Sequence, residues 1–244
     1  MNIVAGRRGV LELLNGERPV KKIILAKGLK PHPVVGEIGA LAQAKGVEVT
    51  RVERRTIDDL TGGGVHQGVV ALVEPYRFAE LPDVLAGLKG VEEALLLALD
   101  GITDPHNVGA LIRTAEATGV TAVILPKRRS APISTTVYKA SAGAVEHIRI
   151  TRVGNLVSAL EEVKRAGFWV YGADAKAELT LFQADLGRKA LLVLGSEGEG
   201  LSRLVREKCD LLVRIPMMGK VSSLNVSVAG ALLMYEVFRK KAET

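Results

Sequence analysis

The sequence predicts an α/β protein in which a small α/β domain precedes a larger one built on a mainly parallel sheet. Two observations support this fold class. Continuous apolar runs of strand length alternate with helical patterns from about residue 93 onwards, and strands that are apolar on both faces need helices on both sides of their sheet. The first 75 residues carry a shorter strand and helix pattern of their own. A chain of 244 residues has room for both domains and their cores.

The first domain is expected at residues 1–75. Its strands are "VKKIILAKG", "VEVTRVE" and "HQGVVALVEP", and the amphipathic helix "HPVVGEIGALAQAKG" lies between the first two and ends at Gly46. The stretch "EPYRFAELPDVLAGLKGVEEA" at 74–94 combines two prolines, two glycines and mixed charge, so we expect a linker at residues 76–92 with at most one short helix. Many polar positions of the first domain are Lys or Arg, which is typical of a module that holds a substrate.

The second domain is expected at residues 93–244, where strands and helices alternate. "ALLLALD" precedes "NVGALIRTAEATG", "VTAVILP" precedes "ISTTVYKASAGA", and "FWVYGAD" follows. "ALLVLG" then precedes "GLSRLVREKC", and "LLVRIP" leads into the last helix within "VSSLNVSVAGALLMYEVFRKK". Such sheets bind ligands at the carboxyl ends of their strands. Three strand-to-helix corners are therefore the places to look for a site.

The charge balance favours a polyanionic partner. The formal net charge is +6 and the sequence pI is near 9.5. Basic residues cluster at Arg7-Arg8, Lys21-Lys22, Arg54-Arg55 and Lys127-Arg128-Arg129. Any single cluster is equally well explained as solvated surface, but together they favour nucleic acid.

The composition also excludes several classes of protein. Cys209 is the single cysteine, which excludes an intrachain disulfide and a cysteine-based zinc site. No apolar run approaches the roughly 18 residues of a membrane helix, and the N-terminus lacks the apolar core of a signal peptide. We expect a cytoplasmic protein with no metal cofactor and no membrane partner.

The first corner is "LDGITDPHNVGALIRTAEATG" at residues 99–119. A helix is expected to begin near Asn107, whose side chain is suited to cap it by accepting from the free amides of the first turn. Arg113 lies beside the apolar stripe of this helix, where it either extends its charge to solvent or faces an anion. Spacing alone leaves both interpretations of Arg113 open.

The second corner is "LLVLGSEGEGLSRL" at residues 191–204, a glycine-rich turn after a buried strand. Its glycines do not have the G-x-G-x-x-G spacing of a dinucleotide-binding turn, and Glu197 and Glu199 would repel a pyrophosphate. A positively charged ligand without phosphate, such as S-adenosylmethionine, suits this loop better. A plain tight turn is the alternative.

The third corner is "RIPMMGKVSSLNVSVAGALLMYEVFRKK" at residues 214–241. Ser222, Ser223 and Asn225 stand where the last helix is expected to begin, and one of them is enough to cap it. The helix beyond is apolar on nearly every side, which predicts close packing against the sheet, a second subunit or both. Three polar groups at its start therefore suggest the wall of a site.

These three corners, in this order and spacing, resemble the three motifs of the SpoU (TrmH-like) RNA ribose 2′-O-methyltransferases. The matching stretches are "DPHNVGALIRTAEATG", "LGSEGEGL" and "IPMMGKVSSLNVSVAGALLMYE". In residues 1–75, "GRRGVLELL" and "HQGVVALVEP" are similar to the ribosomal-protein-like RNA-binding domain of the branch that methylates a guanosine of 23S ribosomal RNA, the RlmB branch.

The resemblance implies a deep trefoil knot in the C-terminal domain, a homodimer built partly on the last helix, and S-adenosylmethionine as cofactor. Matched to the family's motifs, the catalytic side chains are Asn107, Arg113, Glu197, Ser223 and Asn225. The cofactor would contact Gly195, Ile215, Leu224 and Ser223, the first three through their main chains. RNA is expected at Arg7, Arg8, Arg54 and Arg55, and His106 is interpreted as structural or RNA-facing.

The implied reaction is methyl transfer to a ribose 2′-hydroxyl, which needs in-line placement and loss of the hydroxyl proton. The family's usual base is the arginine, here Arg113, but a guanidinium hardly deprotonates. An electrostatic role for Arg113, holding a phosphate and stabilising the developing alkoxide, is the alternative.

Three competing functions are weighed against methylation of a 23S guanosine. Transfer RNA is the rival substrate. A non-catalytic RNA-binding protein on the same scaffold would not need Arg113 or Glu197, and both are present. A nicotinamide-dependent oxidoreductase would share the sheet, but its glycine spacing and its ribose-binding acid are missing.

Overall fold

The structure is a computed structural model that describes residues 2–221 and 223–242. The chain folds into two compact units. The first unit comprises the residues up to Arg77 together with Ile133–His147, and the second comprises Phe78–Pro132 and the residues from Ile148 on. The elements in chain order are β1 (Asn2–Ala5), α1 (Arg7–Asn15), β2 (Val20–Ala26), α2 (Pro33–Ala44), β3 (Glu48–Val52), α3 (Arg54–Thr61), β4 (Val69–Val73), α4 (Leu81–Ala86), β5 (Ala94–Asp100), α5 (Pro105–Ala117), β6 (Ala122–Pro126), α6 (Thr135–Ala140), a 3₁₀ turn (Ala144–Glu146), β7 (Arg149–Val153), α7 (Leu156–Arg165), β8 (Trp169–Ala173), β9 (Leu179–Thr180), β10 (Lys189–Gly195), α8 (Arg203–Lys208), β11 (Leu211–Arg214) and α9 (Val226–Ala242).

The first unit is built on a four-stranded sheet with the order β1-β4-β2-β3. Strands β2 and β3 are parallel, and β4 is antiparallel to both of its neighbours. Alternate residues of a strand face opposite sides of the sheet. Ile24 and Val70 accordingly pack with Ile57 of α3, whereas Ile23 and Leu25 are buried on the other face. Because β4 is antiparallel to β1 and β2, and β2 is parallel to β3, strands β1, β2 and β3 all run in the same direction.

The second unit is built on a seven-stranded sheet with the order β7-β6-β5-β10-β8-β11-β9, and every neighbouring pair is parallel. Leu96 and Val193 pack on one face with residues of α4, α7 and α8. Helices α5 and α9 contact each other, and α9 also contacts β10. The predicted α/β class with a parallel sheet covered by helices is confirmed.

The strand register brings the three predicted corners to one edge of this sheet. Gly195 at the end of β10 is the register partner of Asp100 at the end of β5. Strand β8 lies on the other side of β10 and pairs with β11 in turn. The loops that follow β5, β10 and β11 therefore leave the sheet at its carboxyl edge.

The predicted domain limits, 1–75, 76–92 and 93–244, stay predictions. Two segments lie in other units than these limits would suggest. Within 76–92, α4 buries Leu81, Val84 and Leu85 in the core of the second unit. Ile133–His147 lies inside the predicted second domain but belongs to the first unit. The Thr135 hydroxyl, for example, donates to the carbonyl of Ile3 at 2.8 Å.

Among the helices of the described residues, none is long and apolar enough to cross a membrane. The cytoplasmic location stays a prediction.

Candidate active site

A polar cluster joins one side chain from each of the three corners. Glu197 Oε1 accepts hydrogen bonds from Asn107 Nδ2 at 3.1 Å and from Asn225 Nδ2 at 2.5 Å. Asn225 Nδ2 also lies 3.0 Å from Asn107 Oδ1, and the backbone amide of Val226 lies 3.4 Å from Glu197 Oε1. One carboxylate oxygen thus connects α5, the loop after β10 and the start of α9.

Asn107 does not cap its helix, so that prediction was wrong. Helix α5 begins at Pro105, and Asp104 caps it by accepting from the backbone amide of His106 at 2.9 Å. Proline suits the first helical position because its φ is already helical and it has no N–H to satisfy. The earlier start leaves the Asn107 side chain, only 7% exposed, free to bond Glu197.

The loop after β10 is a compact turn that only glycines allow. Ser196 and Gly200 exchange backbone hydrogen bonds of 3.1 and 2.9 Å, and Gly198 and Gly200 have φ of 87° and 70°. A Cβ on Gly195 would lie 2.1 Å from the carbonyl carbon of Gly200. The backbone thereby closes on itself and presents Glu197 to the polar cluster.

Asn225 has two roles at the start of α9. Its Oδ1 accepts from the backbone amide of Ser227 at 3.0 Å, which caps the helix. Its Nδ2 bonds Asn107 and Glu197, as described above. Ser223 is exposed, and Ser222 lies outside the described residues. Asn225 is therefore more than a helix cap.

A cleft of about 790 Å³ opens at this edge of the sheet, beside the ends of β8, β10 and β11. That volume falls within the range of about 300–1,000 Å³ that is usual for small-molecule sites. The predicted cofactor residues all line the cleft, as do two members of the polar cluster: Gly195, Ile215, Ser223, Leu224, Glu197 and Asn225. Asn107 and Arg113 do not line it.

Asp174 and Arg206 also line the cleft and were not predicted. They form an ion pair of 2.9 Å in which the Asp174 side chain is 12% exposed. Asp174 directly follows β8. The rule that ligands bind at the carboxyl ends of parallel strands, which predicted the other corners, would therefore also have predicted Asp174.

Arg113 lies apart from the polar cluster. It is exposed on α5, and it has no hydrogen bond or ion pair within the part of the chain that the structure describes. Glu197 bonds Asn107 and Asn225 there and not Arg113. His106 is also exposed.

The predicted RNA-binding arginines lie at one edge of the first sheet. Arg7 and Arg8 follow β1, and Arg54 and Arg55 follow β3, which runs in the same direction. Arg8, Arg54 and Arg55 are exposed, and Arg7 is half-buried. Nε of Arg7 is buried without a hydrogen-bond partner among the described residues. The two arginine pairs therefore belong to one end of the unit.

Comparison with known proteins identifies both parts of the chain. Residues 94–235 match the model of the SpoU rRNA methylase family. Residues 3–79 match the substrate-binding domain of RNA 2′-O ribose methyltransferases. Bacillus subtilis YacO, named as belonging to the TrmH family of tRNA/rRNA methyltransferases, is 45% identical over 242 residues, which cover 98% of this chain and 95% of YacO.

Two solved structures frame the comparison of folds. An AdoMet-bound rRNA methyltransferase from Sinorhizobium meliloti superposes with a TM-score of 0.79 at 25% identity, over 98% of this chain and 87% of that one. A TrmH/SpoU tRNA-modifying enzyme from A. aeolicus has a TM-score of 0.56 at 30% identity, over 67% of this chain and 85% of its own. The chain therefore belongs to the SpoU family, and it is an S-adenosylmethionine-dependent RNA 2′-O-methyltransferase.

Proposed function

We propose that the RNA methylated by this enzyme is 23S ribosomal RNA, at a guanosine, as in the RlmB branch. One observation carries this proposal. The S. meliloti rRNA methyltransferase matches 98% of the chain, whereas the A. aeolicus tRNA-modifying enzyme matches 67%. The likeness to an rRNA enzyme thus extends over both units. Transfer RNA is the alternative substrate.

We propose that the cleft beside β8, β10 and β11 holds S-adenosylmethionine, which supplies a methyl group on a positively charged sulfur. Gly195, Ile215, Ser223 and Leu224 line the cleft, and Gly195, Ile215 and Leu224 would hold the cofactor through their main chains. Glu197 and Glu199 give the wall formed by the loop after β10 a negative charge, whereas Lys176, Arg206 and Arg214 line other parts of the cleft. The sulfonium is therefore assigned to the side of the two glutamates. The absence of a side chain on Gly195 lets the loop backbone close tightly against the end of β10.

The polar cluster is assigned a positioning role. Asn107, Glu197 and Asn225 hold three loops in one arrangement at the mouth of the cleft. Placement of the reacting groups accounts for about 7–11 kcal/mol of barrier lowering in well-oriented reactions. Arg113 is assigned to the phosphate beside the target ribose and to the developing alkoxide, because a guanidinium stays protonated.

A homodimer is proposed on an apolar stripe of α9. Val228, Leu232, Tyr235 and Phe238 recur at helical spacing and are each 44–51% exposed. A groove of about 540 Å³ runs beside them and is also lined by Leu181 and Phe182. Large exposed apolar patches of this kind mark protein interfaces. The opposite side of α9 faces α5 and β10 within the same chain.

The substrate proposal is tested by competition. Purified enzyme is given labelled S-adenosylmethionine with equal masses of unmodified 23S rRNA and unmodified bulk tRNA. We expect the label in 23S rRNA, in one nuclease-resistant dinucleotide whose 5′ nucleoside is guanosine. Label confined to tRNA would reject the rRNA proposal while leaving the enzyme class intact.

The proposed RNA-binding arginines have a separate test. Changing Arg7-Arg8 or Arg54-Arg55 to Gln should weaken RNA binding and flatten its salt dependence by about 0.7 for each phosphate no longer neutralised. Affinity for S-adenosylmethionine, measured by calorimetry, should not change. An equal loss of cofactor affinity would contradict the assignment of RNA holding to the first unit.

A further inference from the structure

One basic segment of the second unit has no role in the site described so far. Lys127, Arg128 and Arg129 follow β6 directly and are all exposed. Their side chains make no hydrogen bond or ion pair within the described ranges. Several other basic residues of this unit do have acidic partners, such as Lys164 with Asp210 at 2.6 Å. The segment therefore presents three uncompensated positive charges to solvent.

Backbone hydrogen bonds fix this segment at both ends. The amide of Lys127 donates to the carbonyl of Val153, at the end of β7, at 2.8 Å. The amide of Ala131 donates to the carbonyl of Ile102 at 3.3 Å, and Ile102 lies in the loop that leads into α5. The basic segment thus lies beside the loop that carries the first motif.

An arginine side chain supports the segment from below. Arg152 Nη2 donates to the carbonyl of Lys127 at 3.1 Å. The guanidinium of Arg152 also stacks over the Phe78 ring, 5.1 Å from its centre. Arg152 therefore fixes the backbone directly after β6, and its own position is fixed by Phe78. The three basic side chains extend from this backbone.

The backbone of the segment is also strained. Arg129 has φ of 54°, a left-handed conformation that costs free energy for any residue with a Cβ. Such conformations persist only where the surroundings impose them, and they are frequent at functional sites. Here the left-handed conformation of Arg129 accompanies a bend in the chain, and the three long basic side chains stay exposed to solvent.

The segment lies close to the proposed cleft. Strand β6 is separated from β10 by β5 alone, so at about 4.8 Å per strand the two strand ends are roughly 10 Å apart. Both ends are carboxyl ends and lie on the same edge of the sheet. A strand of RNA that places a ribose at the cleft therefore has phosphates within reach of the segment.

We propose that Lys127, Arg128 and Arg129 bind backbone phosphates of the substrate RNA next to the ribose that is methylated. This deepens the proposed function, because it rests on an RNA ribose being placed at the cleft. Phosphate contacts fix the register and orientation of a nucleic acid without reading its sequence. The segment would then orient the target strand over the active site, and the arginines of the first unit would hold RNA elsewhere.

The test compares two triple variants with equal loss of charge. The first changes Lys127, Arg128 and Arg129 to Gln. The control changes Lys89, Arg165 and Arg188 to Gln, which are exposed basic residues before β5, β8 and β10 at the opposite edge of the sheet. Each variant lowers the formal net charge from +6 to +3. RNA affinity is measured between low and high salt, together with methylation kinetics and S-adenosylmethionine affinity.

We expect the first variant alone to lose at least about tenfold in RNA affinity near 0.15 M salt, and its log–log salt slope to flatten by about 2. Its KM for RNA should rise while its affinity for S-adenosylmethionine stays that of the wild type. Equal losses in both variants, or no loss in the first, would overturn the proposal. So would unchanged RNA binding combined with lost binding to an acidic protein, which would assign the segment to a protein partner. Failure of the wild type to methylate any RNA would instead reject the proposed function.

A second experiment locates the segment on the RNA. Cys209 is the single cysteine, and it is partly buried at the end of α8, so an Arg128→Cys variant carries one accessible thiol for a tethered hydroxyl-radical probe. We expect RNA cleavage centred within a few nucleotides of the methylated ribose. Cleavage only at distant positions would overturn the proposal. A Lys89→Cys probe serves as the control and should give no such cluster.

Discussion

One carboxylate oxygen of Glu197 accepts the hydrogen bonds that hold the polar cluster of the active site together. Its three donors come from Asn107, Asn225 and the backbone of Val226. Asn107 is nearly fully buried, so its amide depends on this partner.

Replacing Glu197 with Ala should therefore lower the free energy of unfolding by about 1 kcal/mol, since a buried polar group loses its hydrogen bond. The affinity for S-adenosylmethionine should also fall, because the loops lining the cleft lose their common anchor. Calorimetry and denaturant unfolding measure both effects. Glu199→Ala is the control, because Glu199 is likewise exposed in the same loop but has no hydrogen bond or ion pair among the described residues, and it should leave stability within about 0.5 kcal/mol of the wild type. Identical behaviour of the two variants would contradict the anchoring role.

Cys209 should make stability depend on pH in the alkaline range. Burial raises the pKa of its thiol to about 12 in the folded protein, whereas an unfolded thiol ionises near 8.5. Above pH 8.5 the unfolded state therefore loses a proton that the folded state retains, so the free energy of unfolding falls, by up to about 1.4 kcal/mol per pH unit. Denaturant titrations at pH 8 and 10.5 should give a smaller difference for Cys209→Ala than for the wild type. Equal differences would show that the thiol does not contribute.

Sequence reasoning identified the side chains of the polar cluster more reliably than their partners. The three motifs supplied Asn107, Glu197 and Asn225, and the structure brings them together. Arg113, another side chain of these motifs, makes no hydrogen bond with them among the described residues. The cap of α5 was misassigned because Asp104 and Pro105 form a stronger start signal than Asn107. Local patterns indicate which residues are polar and near a turn, but partners 90 or more residues away are set by the sheet register.

Helix α9 packs closely because Gly230 has no side chain. A Cβ there would lie 2.3 Å from Leu111 Cδ2 of α5 and 2.6 Å from Leu194 Cδ1 of β10. Glycine at position 230 therefore allows α9 to pack closely against both α5 and β10.

Gly230→Ala should destabilise the protein by about 1–3 kcal/mol, the usual cost of overpacking a core, even though alanine favours a helix. The control is Gly36→Ala in α2, where nothing lies within 4 Å of the added Cβ. That change should stabilise by up to about 1 kcal/mol. Thermal and denaturant unfolding compare the two, and a stabilised Gly230→Ala protein would contradict this packing.

The elements that sequence patterns predicted best are those with two buried faces. Strands β5 and β10 read as unbroken apolar runs and were placed within one or two residues. Helix α3 was missed because it has eight residues and only two large apolar side chains, Ile57 and Leu60, so its helical pattern is short. Strand β9 has two residues, too few for a pattern.

At the scale of the whole molecule, the unexpected feature is the segment Ile133–His147. It joins the first unit through a buried pair between Arg18 and Glu146 at 3.3 Å, with the side chains 7% and 4% exposed. Tyr138 donates to Glu146 in the same cluster, and burial together with this carboxylate raises the pKa of the Tyr138 hydroxyl. Residues 18 and 146 are too far apart in sequence for any local pattern to connect them. The trefoil knot, which the family resemblance implies, likewise stays a prediction.

The proposed homodimer gives a prediction at this scale. Leu232→Glu puts a charge into the exposed stripe of α9 and should convert the dimer to a monomer in sedimentation experiments, because a desolvated unpaired charge opposes association. Leu204→Glu, on α8 and similarly exposed, is the control and should stay dimeric. A wild type that is monomeric at micromolar concentration would contradict the proposal.

The most direct test of the account is transfer of labelled methyl from S-adenosylmethionine to large-subunit ribosomal RNA by the wild type and by Arg113→Ala. Cofactor affinity is measured on the same preparations. The account predicts a ribose 2′-O-methyl nucleoside with the wild type, a loss of at least about a hundredfold in rate with Arg113→Ala, and equal cofactor affinity, since Arg113 does not line the cleft. Equal methylation by both proteins, or label on a base, would contradict it.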